Sequence, residues 1–388
     1  MLDVDEDAVE TAGVGDHRDL GGAREAHGHA QHDLAAADAI LDAVTDGGRH
    51  GISWQMRRHH SGARSTQAML PAPRFPFQDL KMAPIPVRMA GYGPPTTGFS
   101  KALKFIGDRL EAEFGGRVAV DYTWNIMDHG HKAEDILTLV EKGEFTLGYQ
   151  SSSYLTDRVP ELGFVDLPFL FADNAQARAA MDGGLGAFLA RKTEERINYR
   201  ILGWLENGFR HISNRLRPVH LPADLAGMRI RVLPSDIHKR TFELLGAVAL
   251  RMDLTEAIAM IKAGTLDAQE NPLANTVTYG VHKFHKFHTL TSHFYISRPV
   301  FLHRTSFDGW PDDLQRAMQK AVTESVAFQR KLAVEEHESS RKAIEAAGCE
   351  IVELTPKEHD AFVAAVAPLT ADARKMYGEA MFRMLRKA

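Results

Sequence analysis

Arg231 is the residue of this chain best placed to do chemistry. It lies in the apolar run Met228–Leu233, which Gly227 and Pro234 bound as a short strand. Ser235 then stands as the N-cap of a helix whose apolar face is Ile237, Thr241, Leu244 and Leu245, closed by Gly246. A guanidinium fixed beside a helix N-terminus suits a small carboxylate, because planar charge and free backbone N–H groups point the same way. The ordinary alternative is a strand arginine paired with an acidic neighbour.

Other residue sets point to chemistry less strongly. His129-Gly130-His131 puts two imidazoles two residues apart, but in a Gly-containing loop with no third ligand, so no metal is assigned. His282, His285 and His288 recur every third residue among Lys283, Phe284, Lys286 and Phe287, the pattern of a basic, histidine-rich exposed turn. Cys349 is the only cysteine, which excludes an intrachain disulfide and a cysteine cage; its helix-to-strand setting reads as a buried packing thiol. Neither a Gly-x-Ser-x-Gly elbow, a phosphate loop nor a dinucleotide fingerprint occurs, and no cofactor is implied.

The elements that must position these residues emerge after about residue 83. Residues 1–83 are rich in Asp, Glu, Ala, Gly, His and Arg, with His17, His27, His29, His32, His50, His59 and His60 at no ligand spacing. Such a stretch cannot bury enough apolar surface to offset its ordering entropy, and it reads as a disordered or mis-annotated leader. No signal peptide is visible at Met1. From Pro84 the strand Ile85–Met89 leads into a loop and a helix with Phe99, Leu103, Ile106, Leu110 and Phe114 on one face. A strand over Arg117–Trp124, a helix over Ala133–Lys142 and a strand over Phe145–Gln150 follow. Two helices between Asn174 and Arg196 precede a strand at Ile201–Leu205 and a crossing segment from Glu206. This alternation predicts an α/β fold with a mainly parallel sheet. After Trp310-Pro-Asp-Asp a helical pattern runs to Ala347, and Thr355-Pro-Lys-Glu358 forms a capping box before another helix. The 388 residues carry 44% hydrophobic and 25% charged side chains with a net charge of −5, a globular balance without the basic face of a nucleic-acid binder. There is no apolar run of membrane-spanning length, so the chain is not membrane-embedded.

An ordered set of segments resembles the extracytoplasmic solute receptors of tripartite ATP-independent periplasmic (TRAP) transporters, the DctP-type family. It comprises Leu167-Pro-Phe-Leu-Phe171, Gly203-Trp204 through Gly208-Phe-Arg210, and Asp224-Leu-Ala-Gly-Met-Arg-Ile-Arg231-Val. Leu245-Gly-Ala, Met252, Glu256, Gly264 and Asp267-Ala-Gln-Glu-Asn-Pro272 continue it. The resemblance covers the chain from about Pro84 to near its end. It implies a two-lobed periplasmic-binding-protein-like fold with hinge crossings and a long helix packing on both lobes. Lobe one would comprise 84–206 plus 298–336, and lobe two 207–297 plus 337–388.

The resemblance also implies a non-enzymatic receptor that captures a small organic acid in the periplasm and delivers it to TRAP permease subunits. Arg231 matches the family arginine that pairs with the ligand carboxylate, Arg210 a second ligand-facing cation, and Asn271 an asparagine reaching the same carboxylate. Gln150 and Ser151 match first-lobe positions that sort ligands; Tyr92 and Tyr154 are placed to line the cleft. Each keeps a plainer reading: an ion pair to Glu206 or another carboxylate for Arg210, a turn before Pro272 for Asn271, a strand-end cap for Gln150 and Ser151. Ala268 replaces the usual glycine, and Leu254 stands where some members place an aromatic lid residue. Two other classes stay open at this point: a cytosolic carboxylate sensor of the same fold, and a hydrolase using the cleft.

Overall fold

The computed structural model describes residues 83–386 of the chain; the expected leader and its seven histidines fall outside them. Strand β1 (Ile85–Ala90), helix α1 (Gly98–Phe114), β2 (Val118–Thr123), α2 (Asp135–Glu141) and β3 (Leu147–Tyr149) open the fold. Helices α3 (Asn174–Asp182) and α4 (Gly184–Arg196) lead into the long β4 (Tyr199–Asn214). Next come β5 (Arg229–Val232), α5 (Asp236–Leu244), β6 (Val248–Arg251), α6 (Leu254–Lys262), β7 (Ala268–Asn271) and α7 (Leu273–Thr278). A second long strand, β8 (Phe287–His303), precedes α8 (Arg304–Asp308), α9 (Asp312–Ala346), β9 (Glu350–Glu353) and α10 (Pro356–Arg386).

Local chemistry sets several boundaries. Thr97 caps α1 by accepting the Ser100 N–H, and the apolar face read from the sequence is the one buried. At α10 the Thr355–Glu358 box closes in both directions, Thr355 N–H to Glu358 at 2.7 Å and Glu358 N–H to Thr355 at 3.3 Å. One expected cap differs. Ser235 occupies the N-cap of α5, but its buried hydroxyl makes no capping bond. Asp253 caps α6 and accepts the Thr255 N–H at 2.8 Å, and Glu256 lies in the first turn of that helix.

The sheet is mixed rather than mainly parallel. Its order is β2-β1-β3-β8-β4-β7-β5-β6, with β9 beside β8. Each outer wing is parallel: β1 pairs β2 and β3, and β5 pairs β6 and β7. Between them β8 and β4 run antiparallel to each other and to their wing neighbours β3 and β7. The short pattern at Ile201–Leu205 is therefore part of a 16-residue strand that carries the chain from one wing to the other. Register shifts at Ile201/Gly203, Glu206/Gly208 and Arg210/Ile212 bend this pair, and Gly208 takes a φ of 81° that its missing Cβ permits.

Each wing has its own core. Val87, Leu103, Ile106, Leu147, Phe164, Phe301 and Met318 belong to one; Ile230, Val232, Phe242, Phe294, Ile296 and Phe362 belong to the other. Two helices tie them together. The 35-residue α9 buries Leu314, Met318 and Val322 in the first core and, at its far end, Ile344 against Leu273 and Cys349. The last helix buries Phe362, Val366 and Leu369 in the second core, then Ala373, Met381 and Phe382 in the first. Trp204 packs in the first core and Phe169 against the second. Among the described residues no helix is long and apolar enough to cross a membrane.

The histidine-rich turn is exposed only in part: Lys283, Phe284 and Lys286 are exposed, but two of its histidines are not. His285 and His288 are buried, His285 bonding the Ser213 hydroxyl at 3.0 Å and His288 the His285 carbonyl at 3.1 Å. Cys349 packs beneath this turn, its thiol facing the carbonyls of His282 and His285. Period-three histidines resemble a solvated face, but β8 begins at Phe287 and draws them under the sheet edge.

Candidate ligand-binding site

In α/β sheets ligands collect at the carboxyl ends of parallel strands. Here the ends of β1 and β3 in one wing face those of β5 and β7 in the other, around a narrow pocket. Tyr92 follows β1; Gln150 and Ser151 follow β3; Arg231 and Leu233 come from β5 and its exit; Asn271 ends β7. Arg210 enters from β4. All six residues singled out as binding candidates thus line one pocket, and Tyr154 joins them.

Arg231 is 1% exposed and held on two sides. Its Nε donates to the Met252 carbonyl at 3.1 Å and Nη2 to the Tyr154 hydroxyl at 3.0 Å. Tyr154 also accepts the Leu254 N–H at 3.2 Å and donates to Asp253 at 3.4 Å, so its ring oxygen is a fixed post. No carboxylate lies within ion-pair distance of Arg231 among the described residues, and Nη1 has no protein partner there. The strand-holding ion pair that was its ordinary reading does not form.

Arg210 is different. It makes a buried two-point pair with Glu270 on β7, Nη2 reaching Oε1 at 3.0 Å, while Glu206 is taken by Arg178. Burial alone would raise the Glu270 pKa; Arg210, helped by His238 and His293, outweighs it and holds the carboxyl well below its usual range. The plainer reading of Arg210 as an ion-paired arginine therefore holds, with Glu270 rather than Glu206 as its partner.

The polar side chains are equally constrained. Gln150 donates to the Ala133 carbonyl at 2.8 Å and accepts the Ser151 N–H at 2.9 Å. Asn271, which lines the pocket, donates to Gln269 at 2.8 Å. Leu254 lines the pocket where an aromatic lid was considered, and Ala268 fits β7 without distortion, paired with Ile230.

Sequence reasoning missed Arg298. This β8 residue is 3% exposed, lines the pocket, and stacks its guanidinium 3.9 Å from the Phe99 ring centroid and 5.0 Å from that of Tyr92. It too has no ion-pair partner among the described residues, and its Nε is unpartnered. The signal was present in the sequence: a lone arginine in the aromatic-apolar run Phe294-Tyr-Ile-Ser-Arg298-Pro. Asn275 was also missed. No Asp or Glu lines the pocket, so two of its three guanidiniums lack a direct counter-charge. The arrangement is built to hold an anion. Neither His129 nor His131 approaches it, and no metal-binding group of acids, histidines and cysteines occurs among the described residues.

The model of the bacterial extracellular solute-binding proteins, family 7 (DctP), matches residues 89–376. The chain belongs to this family. A solute-binding protein of Verminephrobacter eiseniae is 31% identical over 287 residues, 74% of this chain and 84% of that protein. A TRAP periplasmic solute-binding protein from Sulfurospirillum deleyianum, solved with bound succinate, superposes with a TM-score of 0.73 at 26% identity, covering 79% of this chain and 99% of that one. The sugar acid binding protein DctPAm of Advenella mimigardefordensis, in complex with galactonate, gives a TM-score of 0.74 at 25% identity over 79% of this chain and 99% of that one. The family is one of substrate-binding receptors, and the solved relatives share this mixed α/β fold with its central sheet and long helices.

Proposed function

We propose that this DctP-family chain is the periplasmic receptor of a TRAP transporter, capturing a small organic acid whose carboxylate pairs with Arg231. The observation that carries this reading is a buried guanidinium held on two edges by Met252 and Tyr154, with no carboxylate of its own. An uncompensated buried charge costs several kcal/mol, and a bound carboxylate offsets that cost through charge-assisted, geometrically matched bonds. Asn271, Arg210, Gln150, Ser151 and Tyr92 line the same pocket.

Succinate and galactonate, bound by two proteins of similar fold, define the class to test. In this reading the lobes are 84–206 plus 298–336 and 207–297 plus 337–388, closing about the β4–β8 crossing. Closure shuts out water and strengthens the carboxylate bonds, and the closed form hands the acid to the permease. The test is a thermal-shift and calorimetric screen against mono-, di-, keto- and sugar acids with matched neutral amides. A cognate acid at a hundred times its Kd should add about 2.7 kcal/mol of stability. Binding of the amides with equal strength would contradict the reading.

A further inference from the structure

A second cavity lies behind the acid pocket, where β4 and β8 cross beneath the second half of α9. It has a volume of about 440 Å³ and meets the acid pocket at Asn275, which lines both. Its chemistry is the reverse of the first. Three arginines and no carboxylate face the acid pocket; Glu206, Glu336 and Glu338, with no Arg or Lys, face this one. Glu206 is already matched by Arg178, which leaves Glu336 and Glu338 as the acting charges. Glu336 accepts the Gly98 N–H, and burial lifts its pKa. Lys101 and Arg298 already oppose that lift, and a bound cation would add to their effect. Phe209, Leu290 and Val334 supply apolar wall.

The floor of the cavity holds polar groups that the protein leaves unsatisfied. Asn207 is 7% exposed with both amide atoms unpartnered. His211 is 5% exposed; its Nδ1 accepts the Ser292 N–H at 3.3 Å, which assigns its proton to Nε2, and Nε2 has no partner. Burial holds its pKa well below the ordinary value, so this imidazole is a neutral donor. The backbone is irregular at the same spot: Ser292 is one of two non-glycine residues with positive φ among the described residues, at 49°, and Asn207 sits in the register shift between Glu206 and Gly208. Orphaned buried groups and strained backbone each cost free energy and concentrate where a ligand acts.

We infer that this hinge cavity is a second binding site, for a small organic cation with an apolar body, such as an arylalkyl amine. The ammonium group is held by Glu336 and Glu338, the body by Phe209, Leu290 and Val334. Because its walls come from both crossing strands and from α9, occupancy changes the free energy of hinge motion and hence the affinity of the acid pocket.

The experiment titrates 2-phenylethylammonium into the full chain by calorimetry and ligand-observed NMR. Saturable binding with a Kd of about 1 mM or tighter is expected. Ala333→Phe, which fills the cavity, and Glu338→Lys, at its exposed rim, should each weaken it at least about tenfold, since reversal of one close charge is worth 1.4 kcal/mol or more. Arg231→Ala should leave it unchanged, and cooperative thermal melting of the two cavity variants certifies their fold. No saturable binding, binding that survives both cavity substitutions, or simple competition between amine and acid would each overturn the inference.

Discussion

Arg210 and Glu270 form a two-point ion pair at the floor of the acid pocket, both residues at most 1% exposed. The pair links neighbouring strands β4 and β7, and it distinguishes Arg210 from the other two arginines of the pocket. Arg210 presents a guanidinium already neutralised; Arg231 and Arg298 do not. The carboxylate clamp is therefore centred on Arg231, with Arg210 shaping the floor.

Breaking this pair on one side should be costly. Glu270→Gln leaves a buried guanidinium without its counter-charge, and loss of one partner of such a pair typically costs about 3–5 kcal/mol. Urea unfolding should show that drop in midpoint at an unchanged slope. A variant as stable as the parent would mean the pair contributes little.

Arg298 should decide how many charges the ligand carries. With Arg231 occupied by one carboxylate, the second unmatched guanidinium favours a dicarboxylate, or an acid with a strongly polar far end. Arg298→Met should lower affinity for succinate by about tenfold or more, the scale of one charge-assisted contact, and change that for butyrate far less. Calorimetry on both acids reads the difference; equal losses would remove Arg298 from ligand contact.

Acid should weaken the fold through the buried histidines. Burial holds His288 down at about 4 and His285 at about 3. Each native imidazole refuses a proton that the unfolded chain accepts below its ordinary value near 6.5. Their contribution is therefore intact above pH 6.5, falls as pH drops, and is spent once pH passes the native values. For His288 the full effect is on the order of 3 kcal/mol. His288→Gln, whose amide can still donate to the His285 carbonyl, should flatten the stability profile between pH 6.5 and 4. An unaltered slope would show that other groups govern acid unfolding.

What could be read in the sequence was what is local. The β5–Arg231–α5 segment carries strand, turn and helix signals within twenty residues, and Thr355–Glu358 encodes its own cap. The ordered motifs placed six candidates that the fold brings around one pocket. Arg298 stayed hidden because its company is distant: Tyr92, Phe99 and Tyr149 reach it from the other side of the chain through ring stacking, which leaves no spacing rule. Likewise Glu270 could not be matched to Arg210, since β4 and β7 pair across 60 residues. The antiparallel centre of the sheet was masked because β4 and β8 are interrupted by register shifts, which break the alternation that marks a long strand.

The most direct measurement is calorimetric titration of the cognate acid into the parent chain, Arg231→Lys and Arg231→Ala, with thermal melting as the control for folding. Lysine keeps the charge but loses the fork that Met252 and Tyr154 orient. Affinity should fall by at least about tenfold in Arg231→Lys and by a hundredfold or more in Arg231→Ala, the scale set by breaking a buried charged contact. A folded Arg231→Ala variant that binds the acid as tightly as the parent would contradict the carboxylate clamp.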